Sequence, residues 1–480
     1  MRVLRELGTD MGKYIPAQIV PGIVGFITLP ILTRLFPPLD YGYYSLVIAA
    51  VSVPTVIVGW LSMAVIRFYS VYDREGRLPA LYGSMVRLLL ITVAAIVAAC
   101  SIILLLLQDT IDSRLYGYFW IGLLLLSLSG AYQLCLHFLR ARRWVGWYSV
   151  LVSWQSVMTL LVGLSLIYIG KMDISSFFWG AAAAICVALP LAYMKSSDGV
   201  KVSGYLTRSQ TREMTRYAFP LVVGNLAGWV LGLSDRYVIE AFHSSSEVGL
   251  YSLGYNVASQ SMMLIVTLFM AATGPLGIKL YESEGRESAA RFVAQSTRLY
   301  LLLGLPASVC LGVLARPIIA IISPDQYDQA YTVLPWVAAG VFLLGMQQRF
   351  QAGLLYTKRT YYITAATVTA GLVNVGLNVV FVPEYGFLAA AVTTFVGYAL
   401  LLAAIIAVSL PVFRWPFPVA TLIRTVISSA LMGLCVHFIY QTKPTAWFLV
   451  VAVVAGAAIY SLVLAVLGEF TYRETKEQNI

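Results

Sequence analysis

Charge is scarce in this chain. Asp, Glu, Lys and Arg make up 11% of its 480 residues, against about 25% in an ordinary soluble domain. No polar stretch is long enough to build a soluble domain of its own, which excludes an attached nucleotide-binding or nucleic-acid-binding module. A P-loop glycine pattern is absent as well, so ATP is not expected as the direct energy source. Cysteine and histidine number five and three. Cys100, Cys135, Cys186, Cys310 and Cys435 all fall inside apolar runs, none in a CxxC pair, and the histidines lie far apart. Neither a disulfide framework nor a zinc site is expected. The cysteines read as small apolar helix residues, and no metal, cofactor or catalytic residue is assigned.

What the chain does have is apolar length. Hydrophobic residues are 60% of it and the mean hydropathy is +0.82. The first apolar run, from Tyr14 to about Leu35, lacks a small-residue cleavage site and reads as a retained helix rather than a removed signal peptide. A helix needs ~20 apolar residues to cross a bilayer. On that measure the apolar runs predict an all-α polytopic membrane protein of fourteen transmembrane helices, at 14–35, 41–66, 83–107, 117–139, 146–169, 176–194, 217–241, 248–275, 294–321, 331–355, 361–382, 386–409, 418–440 and 446–467.

Loop charge tests this map, because Lys and Arg collect on the cytoplasmic side. With both termini cytoplasmic, 26 of the 32 basic residues fall on inner segments. The outer set is Arg34, Arg114, Lys171, Arg236, Arg316 and Lys443. The alternation holds along the whole chain and predicts a multi-pass protein of an inner or plasma membrane. The net charge of +10 is then mostly this inside bias, complemented by anionic lipid headgroups, and calls for no nucleic-acid partner.

A polar, basic stretch at 195–216 divides the chain. It predicts an N-terminal lobe of six helices at 1–194, a cytoplasmic linker at 195–216, a second lobe of helices 7–12 at 217–410, and an extra helix pair with a cytoplasmic tail at 411–480. The lobes begin alike, Lys13-Tyr14-Ile15-Pro16 against Arg216-Tyr217-Ala218-Phe219-Pro220. GYYSL at Gly42 returns as GLYSL at Gly249, 207 residues later. Six helices bring both halves into the membrane from the same side, the mark of a parallel repeat.

Polar residues inside apolar runs are costly, by ~2.5–3.5 kcal/mol for a charge on insertion scales, and they point to interior sites. Most here are cations. Arg34 lies near the outer end of helix 1, Arg298 several residues inside helix 9, and Arg349 within the polar run Gln347-Gln348-Arg349-Phe350-Gln351. Arg67, Arg87 and Arg424 sit near helix ends, where snorkelling explains them. Asp235 and Glu240 are the embedded acids, and Asp235 is placed to pair with Arg34 or Arg236. Gln133 and His137 share a helix face at i, i+4, as do Asn374 and Asn378. An Arg excess with few carboxylates favours an anionic cargo, since guanidinium binds phosphate in a fork.

The segments LTRLFPPLDYGYYSL and LSDRYVIEAFHSSSEVGLYSLGYNVA resemble the polysaccharide (O-antigen type) flippase family of the multidrug/oligosaccharidyl-lipid/polysaccharide exporter superfamily. The resemblance implies two pseudo-symmetric six-helix lobes around a central cavity, and alternating access. It implies flipping of a polyprenyl phosphate- or pyrophosphate-linked oligosaccharide from the cytoplasmic to the outer leaflet. Partners would be that lipid-linked glycan, membrane lipids and polysaccharide assembly proteins. Arg34, Arg236, Arg298, Arg349 and Gln347 would bind substrate, with Asp235 and Glu240 as a coupling or structural pair. Proton or sodium coupling stays open. Two other readings remain: a cation-coupled multidrug antiporter, and a membrane glycosyltransferase or polymerase, which the short outer loops disfavour.

Overall fold

In a bilayer every backbone N–H and C=O must be satisfied within the segment or its neighbours, so apolar runs of this length become helices. A computed structural model of the chain describes residues 2–198, 200, 204–442 and 446–470, and among these there is no β-strand. Lys201, Lys443 and the expected tail with Arg473 and Lys476 lie outside the described residues. The chain divides into two compact units, Met1–Trp229 and Val230–Ile480.

Unit 1 contains α1 (Arg2–Leu35), α2 (Pro38–Val58), α3 (Trp60–Arg74), α4 (Leu78–Leu106), α5 (Ser113–Ala141), α6 (Val145–Tyr168) and α7 (Ser176–Ser197). Local chemistry sets the starts. Pro38 opens α2, where its fixed φ and missing N–H cost nothing. Asp112 caps α5 by accepting hydrogen bonds from the amides of Arg114 (2.9 Å) and Leu115 (3.4 Å). Helices α6 and α7 touch at backbone distance. A Cβ on Gly180 would sit 2.7 Å from the Thr159 carbonyl and 2.8 Å from the Gly163 nitrogen, so only glycine fits. The core of the unit gathers Leu61, Val65, Tyr69, Tyr82, Met85 and Phe138, with Tyr82 stacked on Phe138 at 3.8 Å.

A further helix, α8 (Arg208–Leu233), carries the chain from one unit into the other. Unit 2 continues with α9 (Asp235–Phe242), α10 (Ser245–Ser283), α11 (Arg286–Val313) and α12 (Ala315–Ile322). A 3-10 helix (Asp325–Thr332) leads to α13 (Leu334–Phe350) and α14 (Ala352–Tyr356). The unit ends with α15 (Tyr361–Ser409), α16 (Val419–Thr442) and α17 (Ala446–Val466).

Eleven of the described helical segments are long and apolar enough to cross a membrane, or up to thirteen if each of two bent pairs counts as one span. The bent pairs are α8 with α9, at 45°, and the 3-10 helix with α13 and α14, at 44°. Within that count α15 stands as one segment of 49 residues, but it is two helices that meet at Gly386, beside the expected boundary between the spans 361–382 and 386–409. Straight, it would extend roughly 70 Å, more than twice a ~30 Å hydrocarbon core. It is interrupted at Gly386, whose φ of 63° and ψ of −155° are non-helical and open to glycine for want of a Cβ.

Candidate functional site

The break at Ser234 turns the chain so that Asp235 begins a new helix, α9. A carboxylate is favoured there by the helix dipole. Asp235 is wholly buried. Its Oδ1 accepts from Asn378 Nδ2 (2.6 Å), and its Oδ2 accepts from Tyr251 Oη (2.6 Å) and Thr394 Oγ1 (2.5 Å). The partners come from α10 and from both limbs of α15, which the Gly386 interruption folds back on each other. Asn378 in turn accepts from Thr393 Oγ1 and donates to Asn374 Oδ1 at 3.3 Å, while Asn374 Nδ2 is buried without a partner. The i, i+4 pair expected from sequence therefore does share a face, and that face meets Asp235.

Arg236 turns away from its neighbour. Its Nη1 donates to the Gly232 carbonyl (3.3 Å), and the guanidinium lies over the rings of Tyr255 (4.8 Å) and Tyr251 (5.6 Å). Consecutive residues on a helix do not face each other, which is why Asp235 and Arg236 form no ion pair. Glu240 is separate again, with both its oxygens 2.7 Å from Ser245 Oγ. What converges on Asp235 is a set of donors, the Asn378 amide nitrogen and the hydroxyls of Tyr251 and Thr394, with Thr393 and Asn374 one step behind on Asn378. A single buried carboxylate held in this way is a group that can take up and release a proton.

Arg349 occupies a second site, in the last turn of α13. The residue is 4% exposed. Its Nη1 donates to Thr273 Oγ1 at 2.8 Å, and its plane lies 5.7 Å from the Phe269 ring and 5.8 Å from that of Tyr300. Among the described residues no carboxylate pairs with it. Arg349 Nε and Gln348 Oε1 are buried without partners. Both residues line a cavity of about 100 Å³ together with Thr273, Ser296, Gln351 and Tyr356. A buried cation without a counter-ion is expensive, and unfilled guanidinium donors suit an oxyanion. Gln347 does not line this cavity. It donates to Oε1 of Gln351, a lining residue, at 2.8 Å. The residues that do line it, Gln348 and Gln351, stand in the same polar run at i, i+3, a spacing the sequence already offered.

Arg298 is committed elsewhere. From α11 its Nε donates to Glu469 Oε1 (2.6 Å) and its Nη2 to the Glu469 carbonyl (2.7 Å). Arg424 of α16 takes the other carboxylate oxygen at 2.9 Å, and Thr421 Oγ1 adds a bond of 2.8 Å. Glu469 follows α17 and is 1% exposed. Its burial would raise the carboxyl pKa, but the hydrogen bonds from Arg424, Thr421 and Arg298 outweigh that and hold it below its ordinary value. The clamp ties the chain after α17 to α11 and α16. Glu469 lies beyond the last apolar run, so no sequence signal marked it. Arg34 lies in unit 1, exposed in the last turn of α1.

These sites sit in a multi-pass helical membrane protein whose fold is that of known exporters. A solved lipid II flippase MurJ, in an inward closed conformation, superposes with a TM-score of 0.77, at 16% identity, over 95% of this chain and 99% of that one. An inward-facing multidrug resistance MATE family transporter of the MOP superfamily gives 0.69, at 12% identity, over 82% and 93%. The sequence is more specific. The family model described as polysaccharide biosynthesis protein matches residues 7–280, and the MatE model matches 220–380. The chain belongs to the polysaccharide biosynthesis protein family, within the multidrug/oligosaccharidyl-lipid/polysaccharide exporter superfamily. The probable flippase AglR of Haloferax volcanii is 24% identical over 364 residues, 72% of this chain and 73% of that protein. The succinoglycan biosynthesis transport protein ExoT of Rhizobium meliloti is 24% identical over 474 residues, covering 93% and 90%.

Proposed function

We propose that the chain is a flippase that moves a polyprenyl phosphate- or pyrophosphate-linked oligosaccharide from the cytoplasmic to the outer leaflet for surface polysaccharide synthesis. It would work by alternating access, with both termini cytoplasmic. The observation that carries this reading is Arg349, a buried guanidinium with an unfilled donor, no carboxylate and a cavity before it. A phosphoryl oxygen would complete its hydrogen bonding, while the polyprenyl tail stays in the bilayer. Relatives named as flippases and as a polysaccharide transport protein support the cargo class. Arg34 and Arg236 are further candidates for contact with the cargo. Membrane lipids and polysaccharide assembly proteins are the partners this role entails.

The test is transfer of a labelled polyprenyl pyrophosphate oligosaccharide across liposomes containing the purified protein. Protein-dependent access of the sugar to the opposite leaflet supports the reading. No transfer by folded protein, across several glycans and with or without an ion gradient, overturns it.

The wholly buried carboxylate of Asp235 favours a second element, coupling of transport to a proton or small cation. Asp235→Asn would then abolish the response to an imposed gradient, and an unchanged response removes Asp235 from that role. A cation-coupled drug antiporter would use the same carboxylate, and gradient-driven dye efflux from the same liposomes separates the two cargoes.

A further inference from the structure

The Arg349 cavity is not the only cationic recess. In unit 1 a pocket of about 460 Å³ opens between the start of α4, the 204–207 segment and the first turns of α8. Its polar wall carries Arg87, Arg208 and Arg212. Among the described residues no carboxylate stands at ion-pair distance from any of the three. Three guanidinium groups on one recess repel one another, and an anion placed among them removes that cost.

The walls are fixed. The Leu206 amide donates to Ser84 Oγ at 2.7 Å, pinning the segment to α4. Arg77 Nη2, one residue before α4, donates to Gln210 Oε1 on α8 at 3.1 Å. The Arg87 guanidinium lies 5.2 Å from the Tyr205 ring centre, a contact that orients its plane. The opposite wall is apolar. Leu88 and Ile91 line it, and it runs on into the outward face of α4, where Leu90 is 65% and Ile91 55% exposed. The span Leu78–Leu106 has the highest mean hydropathy of the candidate spans, at 3.0, and is 11% buried. Its exposed face is therefore a lipid-contacting surface. The pocket is thus amphiphilic, with cations at the membrane-interface end and an aliphatic track leading into the hydrocarbon.

We infer that this pocket binds an anionic bilayer phospholipid, its phosphate among Arg87, Arg208 and Arg212 and an acyl chain along Leu88 and Ile91. The site lies wholly in unit 1 and is independent of the cargo reading built on Arg349. Bound there, the lipid bridges α4 to the start of α8, the helix through which the chain passes from unit 1 to unit 2. Each basic residue near a charged lipid surface is worth about 1 kcal/mol, so removing two lowers affinity about tenfold or more.

The experiment titrates the full-length, delipidated protein in detergent with phosphatidylglycerol and, separately, phosphatidylcholine, reading bound lipid by native mass spectrometry. Wild type is expected to prefer phosphatidylglycerol, and Arg208→Gln with Arg212→Gln to lose that preference about tenfold, while Arg349→Gln keeps it. Equal binding of the two lipids, or an unchanged double variant, overturns the proposal. So does displacement by inorganic pyrophosphate at equal concentration, which would mark a headgroup-only anion site. Displacement by polyprenyl phosphate at a lower concentration than phosphatidylglycerol also overturns it and reassigns the pocket to the cargo. Should the double variant fail to fold, photoactivatable phosphatidylglycerol on wild type decides. Adducts on residues 84–91 or 205–215 sustain the site, and their absence there rejects it.

Discussion

Two arginines that look alike in the sequence meet opposite fates. Arg298 ends on a carboxylate; Arg349 ends on a threonine hydroxyl and two aromatic rings, with Nε unfilled. The difference is a difference of work. A charge buried without its partner lowers stability. Arg349→Met should therefore leave thermal stability equal to or above wild type, because it removes a desolvated cation from an apolar surround. The same variant should abolish liposome transfer and surface polysaccharide. A melting-temperature comparison beside the transfer assay checks both halves, and transfer at the wild-type rate would remove Arg349 from the site. Asp235→Ala should behave in the opposite sense. It leaves the Tyr251 hydroxyl and an Asn378 amide hydrogen without their acceptor, at about 1–3 kcal/mol for each group left unsatisfied, while the Thr394 hydroxyl keeps the Ala390 carbonyl. Thermal unfolding of the purified variant should show a clear loss.

At the scale of elements, the C-terminal pair is held by more than apolar packing. Met432 and Val436 of α16 and Ala452 of α17 form a small buried cluster with Leu314, and the Glu469 clamp closes its end. Glu469→Gln keeps the shape but weakens the bonds to Arg298 and Arg424. A loss of roughly 2 kcal/mol is expected, read as faster hydrogen exchange in 446–470. The clamp also carries a pH signature. The folded-state pKa of Glu469 is depressed below its ordinary 4.5, so its contribution is fully present above that value and is lost as pH falls through the lower, folded-state value. The protection factor of α17 amides, exchange normalised to the intrinsic rate at each pH, should be constant from neutral pH down to about that point and fall below it, and Glu469→Gln should flatten the profile. In unit 1, Gly180→Ala should force α6 and α7 apart, since its Cβ meets backbone atoms that no rotamer change can move. The expected result is a lower melting temperature with the family fold retained.

Over the whole molecule, the alternation of basic loops predicts sidedness. In a variant whose native cysteines are replaced, Asp109→Cys should react with a membrane-impermeant maleimide from the outer side, and Ser209→Cys only after permeabilisation. Labelling of both from one side would break the proposed orientation.

The helical class, the approximate spans and the family segments were legible in the sequence, because the bilayer imposes the same length and apolarity on every crossing segment. The i, i+4 face of Asn374 and Asn378 was legible for a similar reason, since helix periodicity is local. The span count was less so. A bilayer sets how long a crossing must be, and the break at Gly386 falls where the sequence already separated two spans, but the bends at Ser234 and beside Leu334 come from packing.

The sites divide along the same line. The sequence by itself showed that cations outnumber acids within the apolar runs and where along the chain they fall. Only the tertiary structure decided which of them is matched. Glu469 reaches Arg298 from 171 residues away, and Asp235 gathers Thr394 from 159 residues away. A charge's partner is fixed by which helices pack together, and that is a property of the assembled core rather than of any one segment.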